Sequence, residues 1–267
     1  MQTAEYMDDY AMNWTVRGLS PRTLSEYLRY LQLFFATNTE FNLSSIHDWL
    51  SEISSPSVRR QAARAIRSFG KYLEKGGHKD VSWWREVPLP IERILPQRTV
   101  TESDVSNARR VCQSARDRLL IELLWSAGLR RSELARLRVE DVSPDMRSIT
   151  VAEAKSGQPR RVPISPEASI ALLEFRRGKS EGPIFSLSAA GIGAALKRLG
   201  LPPAHAWRRG WAVDSLRRGV SEVSVRTAAG WKTGAMVARY TATLSEELAL
   251  AEFERLWRNS ESKEPRS

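Results

Sequence analysis

Residues 114–134 read SARDRLLIELLWSAGLRRSEL, and this stretch decides the organisation of the C-terminal half of the chain. It predicts a helix from about Ser114 to Ser126 that ends at Gly128, because glycine readily adopts the left-handed backbone conformation that ends many helices. The most apolar part, residues 119–129, is too short to span a bilayer and contains Glu122. The motif GLRRSEL that follows therefore begins at a helix end and carries two arginines and a glutamate.

Residues 147–164 are the best candidate for β structure further along the chain. Ile149 and Val151 alternate with polar residues, Ser156-Gly157 offers a turn, and Val162 and Ile164 resume the alternation. The pattern predicts a hairpin, and most of the remaining chain reads helical with short loops. We therefore expect a mainly α fold with a small antiparallel β-sheet.

Three helices are predicted in the N-terminal part of the chain. One begins at Ser20 and Pro21, with serine as the N-cap and proline at the first helical position. The other two span about Ser45–Ile53 and Ser57–Lys75, and the last ends at Gly76-Gly77.

A break between two domains is predicted where three prolines, at residues 88, 90 and 96, argue for an extended segment. A new helix is expected near Thr101, which offers a cap. We therefore expect a helical domain of about four helices at residues 1–93, a linker at 94–97 and a second domain at 98–267.

The helix predicted at residues 57–75 has two different faces. Its apolar residues fall on one face at helical spacing and are Val58, Ala62, Ile66, Phe69 and Leu73. The opposite face carries what we call the cationic strip, formed by Arg60, Arg64, Arg67 and Lys71. These cations have no interleaved carboxylate, so we interpret the strip as a surface that binds phosphate groups. An ordinary solvated helix face is the alternative.

The charge of the chain points to a polyanionic partner. Its net charge is +10 and its pI is about 10.1. Residues 1–93 hold 12 Lys and Arg against 11 Asp and Glu, whereas residues 94–267 hold 29 against 20. Such an excess most often indicates a nucleic acid, although a basic protein without an anionic partner would have the same composition.

Several classes of protein are disfavoured by the composition. Cys112 is the only cysteine, so an intrachain disulfide cannot form. The three histidines, His47, His78 and His205, are too scattered to predict a metal site. The N-terminus, MQTAEYMDDY, lacks the apolar segment of a signal peptide. We expect a cytoplasmic protein that binds no membrane.

Four short motifs carry candidate catalytic residues, and their order is more informative than any one of them. They are GLRRSEL with Arg130 and Glu133, Lys155 at the predicted hairpin tip followed by RRVP at 160–163, His205-Ala206-Trp207-Arg208, and Gly230-Trp231 with Tyr240 nine residues after the tryptophan. Each motif alone has an ordinary explanation, because surface arginines, a surface His/Arg pair or a core tryptophan would give the same residues.

In this order the motifs resemble those of the tyrosine recombinases, or phage integrase family. That family carries Gly-x-Arg-x-x-Glu-Leu, a hairpin lysine, His-x-x-Arg, Gly-His or Gly-Trp, and a tyrosine nine residues later. The resemblance covers about residues 98–257 and is looser in the N-terminal half. It implies a helical, SAM-like core-binding domain and a catalytic domain that form a C-shaped clamp, and site-specific DNA recombination through a 3′-phosphotyrosyl intermediate.

The resemblance implies roles in proton transfer and bond formation for three residues. Tyr240 would be the nucleophile, which needs activation because the ordinary pKa of a phenol is about 10. His205 would accept or share the phenolic proton. Lys155 would act as the general acid that protonates the leaving 5′ oxygen.

Further roles concern the scissile phosphate. Arg130 and Arg208 would bind its non-bridging oxygens, since their charged planar forks suit phosphate. Trp231 stands where histidine is commoner; its indole could donate a hydrogen bond to the phosphate but could not move protons. Glu133 would orient Arg130. A further departure is Arg209, where the family usually has histidine.

The implied chemistry needs no cofactor, because the phosphotyrosyl ester conserves the energy of the cut bond. A metal-dependent integrase would need a carboxylate cluster, and a serine recombinase would need an N-terminal domain with a serine nucleophile; neither signal is evident, and we expect no metal. The expected partner is double-stranded DNA at a specific core site, and no small-molecule substrate is expected. The chain would be a monomer in solution and a homotetramer on DNA.

The biological role stays open at this point. We expect no additional arm-binding domain of the kind found on many phage integrases, because the chain begins almost directly at the predicted core-binding helices. This indicates a simple recombinase, whether a minimal phage integrase, a mobile-element recombinase or a Xer-type resolvase. Integration or excision of a phage or mobile element is the expected role. A Xer-type resolvase of chromosome or plasmid dimers is the alternative. A catalytically silent DNA-binding protein of the same fold, or a nicking and closing enzyme like a type IB topoisomerase, would share many of these residues.

A last helix is predicted after Ser245, an N-cap candidate followed by Glu246 and Glu247. Leu250, Phe253 and Trp257 then form one apolar stripe. The stripe could pack on its own catalytic domain. The resemblance favours docking on a neighbouring protomer, which would connect the subunits of a tetramer.

Overall fold

The computed structural model describes residues 3–77, 79–91, 98–152, 159–176, 178, 180–231, 233–234, 237, 249–250 and 252–254. The chain divides into two compact units, Met1–Pro96 and Gln97–Ser267. The predicted linker at 94–97 lies outside the described residues, as do the candidate catalytic residues Lys155 and Tyr240.

The described part of the N-terminal unit is helical. Its elements are α1 (Thr3–Val16), α2 (Pro21–Thr37), α3 (Leu43–Glu52), α4 (Pro56–Lys75) and a 3₁₀ helix at Lys79–Arg85. The three predicted helices are confirmed. Helix α3 begins two residues earlier than predicted, because Asn42 caps it by accepting the backbone N–H of Ser45 at 2.9 Å. Helix α1 was not predicted.

Aromatic side chains form the core of this unit. Phe34 of α2 and Phe69 of α4 are fully buried, and Tyr10 of α1 is nearly so. The ring of Tyr10 meets that of Phe69 edge to face with centroids 5.4 Å apart, and Phe34 meets Trp49 of α3 at 5.3 Å. Such pairs contribute beyond the burial of their area, so the rings fix how the four helices pack.

The apolar face of α4 is confirmed except at its first residue. Ala62, Ile66, Phe69 and Leu73 are buried, whereas Val58 is 39% exposed. Val58 lies in the first turn of a helix that starts at Pro56, ahead of the part that packs in the core. The prediction that Val58 belongs to the packed face was therefore wrong.

The C-terminal unit is mainly helical with one small sheet. Its described elements are α5 (Glu102–Val111), α6 (Ala115–Ala127), α7 (Arg131–Arg136), a 3₁₀ helix (Val139–Asp141), β1 (Ser148–Val151), β2 (Arg160–Pro163), α8 (Pro166–Arg176), α9 (Ala189–Arg198), α10 (Ala204–Arg217) and α11 (Glu222–Ala229). The predicted fold class, mainly α with a small antiparallel sheet, is confirmed. Every helix within the described residues is too short or too polar to cross a bilayer.

Helix α6 is the buried centre of this unit and ends where the sequence predicts. Leu119, Ile121 and Leu123 are fully buried. Gly128 ends the helix in the left-handed conformation, with φ of 55°. A Cβ atom at Gly128 would lie 2.3 Å from Cδ2 of Trp211, so glycine also lets α10 approach closely.

The predicted hairpin strands pair as expected. Strands β1 and β2 are antiparallel, with Ile149 opposite Val162 and Val151 opposite Arg160. Ile149 and Val162 are fully buried and lie on the face of the sheet that joins the core. Because side chains alternate along a strand, Arg160 lies on the same face of β2 as Val162.

Candidate active site

Arg130 is placed by the turn between α6 and α7. It is the N-cap residue of α7, and its backbone N–H donates to Oε2 of Glu133 at 2.8 Å. Its Nη1 donates to Oε1 of the same carboxylate at 2.6 Å, while the side chain stays 32% exposed. One helical turn thus fixes the guanidinium and leaves it accessible to an anion from solvent.

Glu133 is a buried carboxylate that several arginines share. Arg160 donates to both of its oxygens, from Nη1 at 3.1 Å and from Nη2 at 2.9 Å, in addition to the two bonds from Arg130. The pKa of Glu133 is lowered from 4.5 to about 2, because these hydrogen bonds and charges outweigh the opposing effect of burial. Glu133 is therefore ionised at neutral pH.

Arg208 lies at the same centre, on α10. It is only 3% exposed, and its Nη1 lies 3.9 Å from Oε2 of Glu133. Nη1 donates to the carbonyl oxygen of Gly128 at 2.6 Å, and Nη2 donates to that of Ala229. The guanidinium therefore joins the segments at the ends of α6 and α11 through two carbonyl groups that are 101 residues apart in the chain.

Trp231 packs beneath Arg208. It follows Gly230, which ends α11 with φ of 64°, and it is 7% exposed. The guanidinium carbon of Arg208 lies 5.1 Å from the centre of the ring, which is the distance of a cation–π contact. The ring face thus supports Arg208, a role that the sequence interpretation, based on the indole N–H alone, did not include.

His205 is exposed on the first turn of α10, one turn before Arg208. Its pKa is lowered from 6.5, first by desolvation and then by the positive charges of Arg209, Arg208, Arg130 and Arg131. The neutral imidazole, which can accept a proton, is therefore the favoured form at neutral pH. No group of three or more His, Cys, Asp or Glu among the described residues could hold a metal ion.

Arg209 connects α10 to the segment that precedes α5. It is 8% exposed, and its Nε and Nη2 donate to the carbonyl oxygen of Arg98 at 3.0 and 2.8 Å. Val100 lies so close to α10 that a Cβ atom at Gly210 would be 2.2 Å from its carbonyl oxygen. Arg209, unlike its neighbour Arg208, holds the segment that precedes α5.

The structure brings most of the predicted residues of this unit to one place. Arg130, Glu133, Arg208 and Trp231 are connected by contacts, and His205 lies within the field of the same arginines. Lys155 falls between β1 and β2 in the chain, and Tyr240 follows Trp231; both lie outside the described residues.

Sequence interpretation missed the part that Arg160 takes in this cluster. A signal existed in the motif RRVP, because Arg160 and Val162 are two residues apart and therefore face the same side of a strand. If Val162 faces the core, Arg160 must face it too, and a buried arginine needs an acceptor. What the sequence did not reveal is which carboxylate it meets.

The cationic strip of the N-terminal unit is partly used by the unit itself. Nη1 of Arg60 donates to the carbonyl oxygen of Pro90, and Nη1 of Arg67 donates to that of Val87 at 3.3 Å. Both arginines are half-buried, and Arg67 also lies 5.6 Å from the ring centre of Trp84. These two cations hold the segment after the 3₁₀ helix.

The other two cations of the strip are less engaged. Nη1 of Arg64 donates to the side-chain oxygen of Gln61 at 3.3 Å, which is a bond within α4. Lys71 is exposed. Arg64 and Lys71 are therefore the members of the strip that an external phosphate can reach with the least rearrangement.

Comparison with known proteins shows a similarity to recombinases. Residues 98–184 match the sequence model of the phage integrase family. Tyrosine recombinase XerA of Saccharolobus solfataricus is 29% identical over 233 residues, which cover 84% of this chain and 79% of XerA. These matches support a tyrosine recombinase, because the chain is similar in sequence to that family. The expected function, site-specific DNA recombination, is confirmed at this level, whereas the choice between a phage and a Xer role is not resolved.

Solved structures show the same fold in tyrosine recombinases. The Tn1549 transposon integrase in complex with transposon right end DNA superposes with a TM-score of 0.73 at 17% identity, covering 94% of this chain and 99% of that one. A lambda integrase tetramer bound to a Holliday junction gives a TM-score of 0.71 at 15% identity, covering 87% and 78%. The chain shares the fold of both.

Proposed function

We propose that this recombinase cuts and rejoins DNA at a specific core site through a 3′-phosphotyrosyl bond to Tyr240. The observation that carries the proposal is the meeting of Arg130, Arg160 and Arg208 within 4 Å of one carboxylate, Glu133. Three guanidinium groups around one buried carboxylate favour the arrival of another anion. A phosphodiester is the anion that this family acts on.

The proposed chemistry moves one proton at each end of the exchanged bond. The Tyr240 oxygen attacks phosphorus and forms a Tyr–O–P bond, while its proton passes to the neutral imidazole of His205. The bond from phosphorus to the 5′ oxygen breaks, and Lys155 protonates that oxygen. Arg130 and Arg208 neutralise the charge that builds up on the non-bridging oxygens; removing such a donor typically costs about 10²- to 10³-fold in rate. Rejoining reverses these steps.

Double-stranded DNA is the proposed partner, bound by both units. The Tn1549 integrase bound to its right end DNA supports this proposal, as does the net charge of +10. Within the N-terminal unit, Arg64 and Lys71 are the proposed phosphate contacts of the strip, while Arg60 and Arg67 contribute by holding the segment at residues 87–90. The clamp arrangement and the domain limits at 93 and 98 stay predictions, as does a cytoplasmic location.

A tetramer on DNA is proposed for the recombining state, formed from monomers in solution. Leu250 and Phe253 are 61% and 55% exposed in the single chain, which leaves apolar area that a second protomer could bury. Ser245, Glu246, Glu247 and Trp257 of the predicted helix lie outside the described residues. The lambda integrase tetramer on a Holliday junction supports the proposed stoichiometry.

Truncation after Thr243 tests the proposed connector. It should leave binding to one core site and the melting temperature unchanged, while complexes of two DNA duplexes no longer form. Gel mobility with one-site and two-site DNA measures both. A sharp fall in melting temperature would instead assign the stripe to the protein's own core.

The proposed biological role is the integration and excision of a phage or mobile element. The match to XerA supports a second candidate, the resolution of chromosome or plasmid dimers. A plasmid dimer with two directly repeated core sites, incubated with the recombinase, should be resolved to monomers under the second role. Efficient joining of two different DNA molecules, each with one site, would favour the first.

The central experiment selects the DNA site and tests the chemistry together. A pool of random-sequence duplexes with a nick on one strand is incubated with the recombinase in EDTA, and DNA covalently bound to protein is recovered and sequenced. We expect one core sequence, and we expect no adduct with Tyr240→Phe although the variant still binds the selected duplex. Binding without any wild-type adduct would indicate a catalytically silent DNA-binding protein. Nicking and closing without recombination of two sites would indicate a topoisomerase-like activity.

A further inference from the structure

Arg160 is largely buried, whereas its neighbour Arg161 is exposed. It begins β2, and its side chain is 8% exposed because it faces the core side of the sheet with Val162. Arg161 points the other way, is exposed, and donates from Nε to the side-chain oxygen of Ser148 at 2.8 Å. The two arginines therefore form a matched pair, one buried and one on the surface of the same strand.

Each nitrogen of the Arg160 guanidinium has a partner. Nη1 and Nη2 donate to the two oxygens of Glu133, and Nε donates to the carbonyl oxygen of Ala228 at 2.6 Å. The chain at Gly230 passes so close that a Cβ atom there would be 3.1 Å from Cδ of Arg160. Arg160 thus contacts two separate parts of the site at once.

Those two parts hold the two proposed phosphate ligands. Glu133 holds Arg130 through its Nη1 and its backbone N–H. The carbonyl oxygen of Ala229, next to the residue that Arg160 binds, accepts a hydrogen bond from Arg208. If Arg160 moved, both supports would move with it.

We propose that Arg160 is a positioning residue that sets both phosphate-binding arginines of the active site. This inference rests on the proposed function. Its guanidinium is committed to the Glu133 carboxylate through two hydrogen bonds, whereas Arg208 donates to the neutral carbonyl groups of Gly128 and Ala229 and keeps its charge for a phosphate. Arg160 balances part of the charge of Glu133, so that Arg130 is not drawn fully into the carboxylate, and it fixes the carbonyl segment that supports Arg208.

The sharpest test compares Arg160→Gln with Arg161→Gln as the control. Each variant is assayed in single-turnover cleavage of the core duplex recovered by covalent trapping, at a temperature where circular dichroism shows it folded. A displacement of about 1 Å at a catalytic group can cost about 10²-fold, so we expect a loss of that order for Arg160→Gln, with DNA binding unchanged. Arg161→Gln should cleave at the wild-type rate.

A second substrate separates positioning from general support of the fold. In this duplex a neutral methylphosphonate replaces the scissile phosphodiester, so the transition state carries one negative charge less and depends less on arginines. If Arg160 acts through Arg130 and Arg208, the ratio of wild-type to Arg160→Gln rates should shrink towards one on this substrate, as it should for Arg130→Ala. An equal ratio on both substrates would overturn the proposal.

A conservative variant keeps the test decisive if Arg160→Gln does not fold. Arg160→Lys retains the charge but cannot reach three acceptors with one ammonium group. We expect its cleavage defect to be smaller than that of glutamine and also relieved by the methylphosphonate. Wild-type rates for Arg160→Lys on both substrates would refute the inference. Absence of wild-type cleavage would count against the proposed function itself and is thereby distinguished from failure of this inference.

Discussion

Replacing Glu133 by glutamine tests the charge balance at the centre of the site. The carboxylate accepts hydrogen bonds on both oxygens from Arg130 and Arg160, and it is almost fully buried. Glutamine keeps one acceptor oxygen but presents an NH₂ group to donors on the other side. Glu133→Gln therefore removes the negative charge and leaves the buried guanidinium of Arg160 without its counter-charge.

The size of the effect follows from the pKa. Lowering the pKa of Glu133 from 4.5 to about 2 corresponds to about 3 kcal/mol of preference for the ionised form in the folded state. Breaking a buried ion pair by removing one partner typically costs about 3–5 kcal/mol. We expect Glu133→Gln to destabilise the C-terminal unit by that amount at pH 7, which lowers its melting temperature by about 10 °C.

Urea unfolding at pH 7 measures this change in stability. Hydrogen–deuterium exchange of peptides from the C-terminal unit monitors the unfolding, so that the transition of this unit is separated from that of the N-terminal unit. Glu140→Gln is the matched control, since Glu140 pairs with Arg138 at the surface, where solvent screens the interaction. Its effect should be much smaller.

The pH dependence of the stability provides a second, independent test. Because the folded-state pKa of Glu133 lies below the unfolded value, the stabilisation is fully present above pH 4.5 and is lost as the pH falls towards about 2. The gap in stability between wild type and Glu133→Gln should therefore close with acid. If Glu133→Gln and Glu140→Gln lower the stability by the same small amount, or if the gap persists at low pH, then Glu133 does not balance the charges of Arg130 and Arg160.

Three other predictions concern separate parts of the molecule. Gly128→Ala should destabilise the C-terminal unit by about 2 kcal/mol more than Gly200→Ala in thermal melts. Both positions have positive φ, but only at Gly128 would the added methyl group also clash with Trp211. Equal losses of stability would mean that backbone strain is the sole cause. Arg64→Ala and Lys71→Ala should each lower the slope of log affinity for DNA against log salt by about 0.9, and an unchanged slope would return the strip to a solvated face. The NMR titration midpoint of His205 in the free protein should lie below pH 6.5, because desolvation and the neighbouring arginines both lower its pKa; a midpoint above 6.5 would contradict these two effects.

Local signals in the sequence predicted the elements that carry the site. The end of α6 followed from Gly128, and the two strands followed from alternation around Val151 and Val162. These features depend on neighbours in the chain, so a single sequence contains the information. Helix α1 was missed because its place depends on Tyr10 packing against Phe69, a contact made across 59 residues.

Long-range partners are what the sequence left undetermined. Arg160 meets Glu133 across 27 residues and Ala228 across 68. Neither spacing belongs to a helix or a strand period, so no local pattern predicts these bonds.

The cationic strip shows a related limit. Its spacing correctly indicated one helix face, but Arg60 and Arg67 bind the backbone carbonyls of Pro90 and Val87. A carbonyl group is present at every residue and leaves no mark in the sequence. The fold of the following segment therefore decides which cations of the strip stay available for phosphate.

The most direct test of the central claim is to locate the covalent bond. The core duplex is made with sulfur in place of the bridging 5′ oxygen at the scissile phosphate, so that the released thiol rejoins poorly and the intermediate accumulates. After trypsin and nuclease digestion, mass spectrometry should find the nucleotide adduct on the peptide YTATLSEELALAEFER, residues 240–255, whose only tyrosine is Tyr240. An adduct on any other peptide, or cleavage of the duplex without an adduct, would contradict the account.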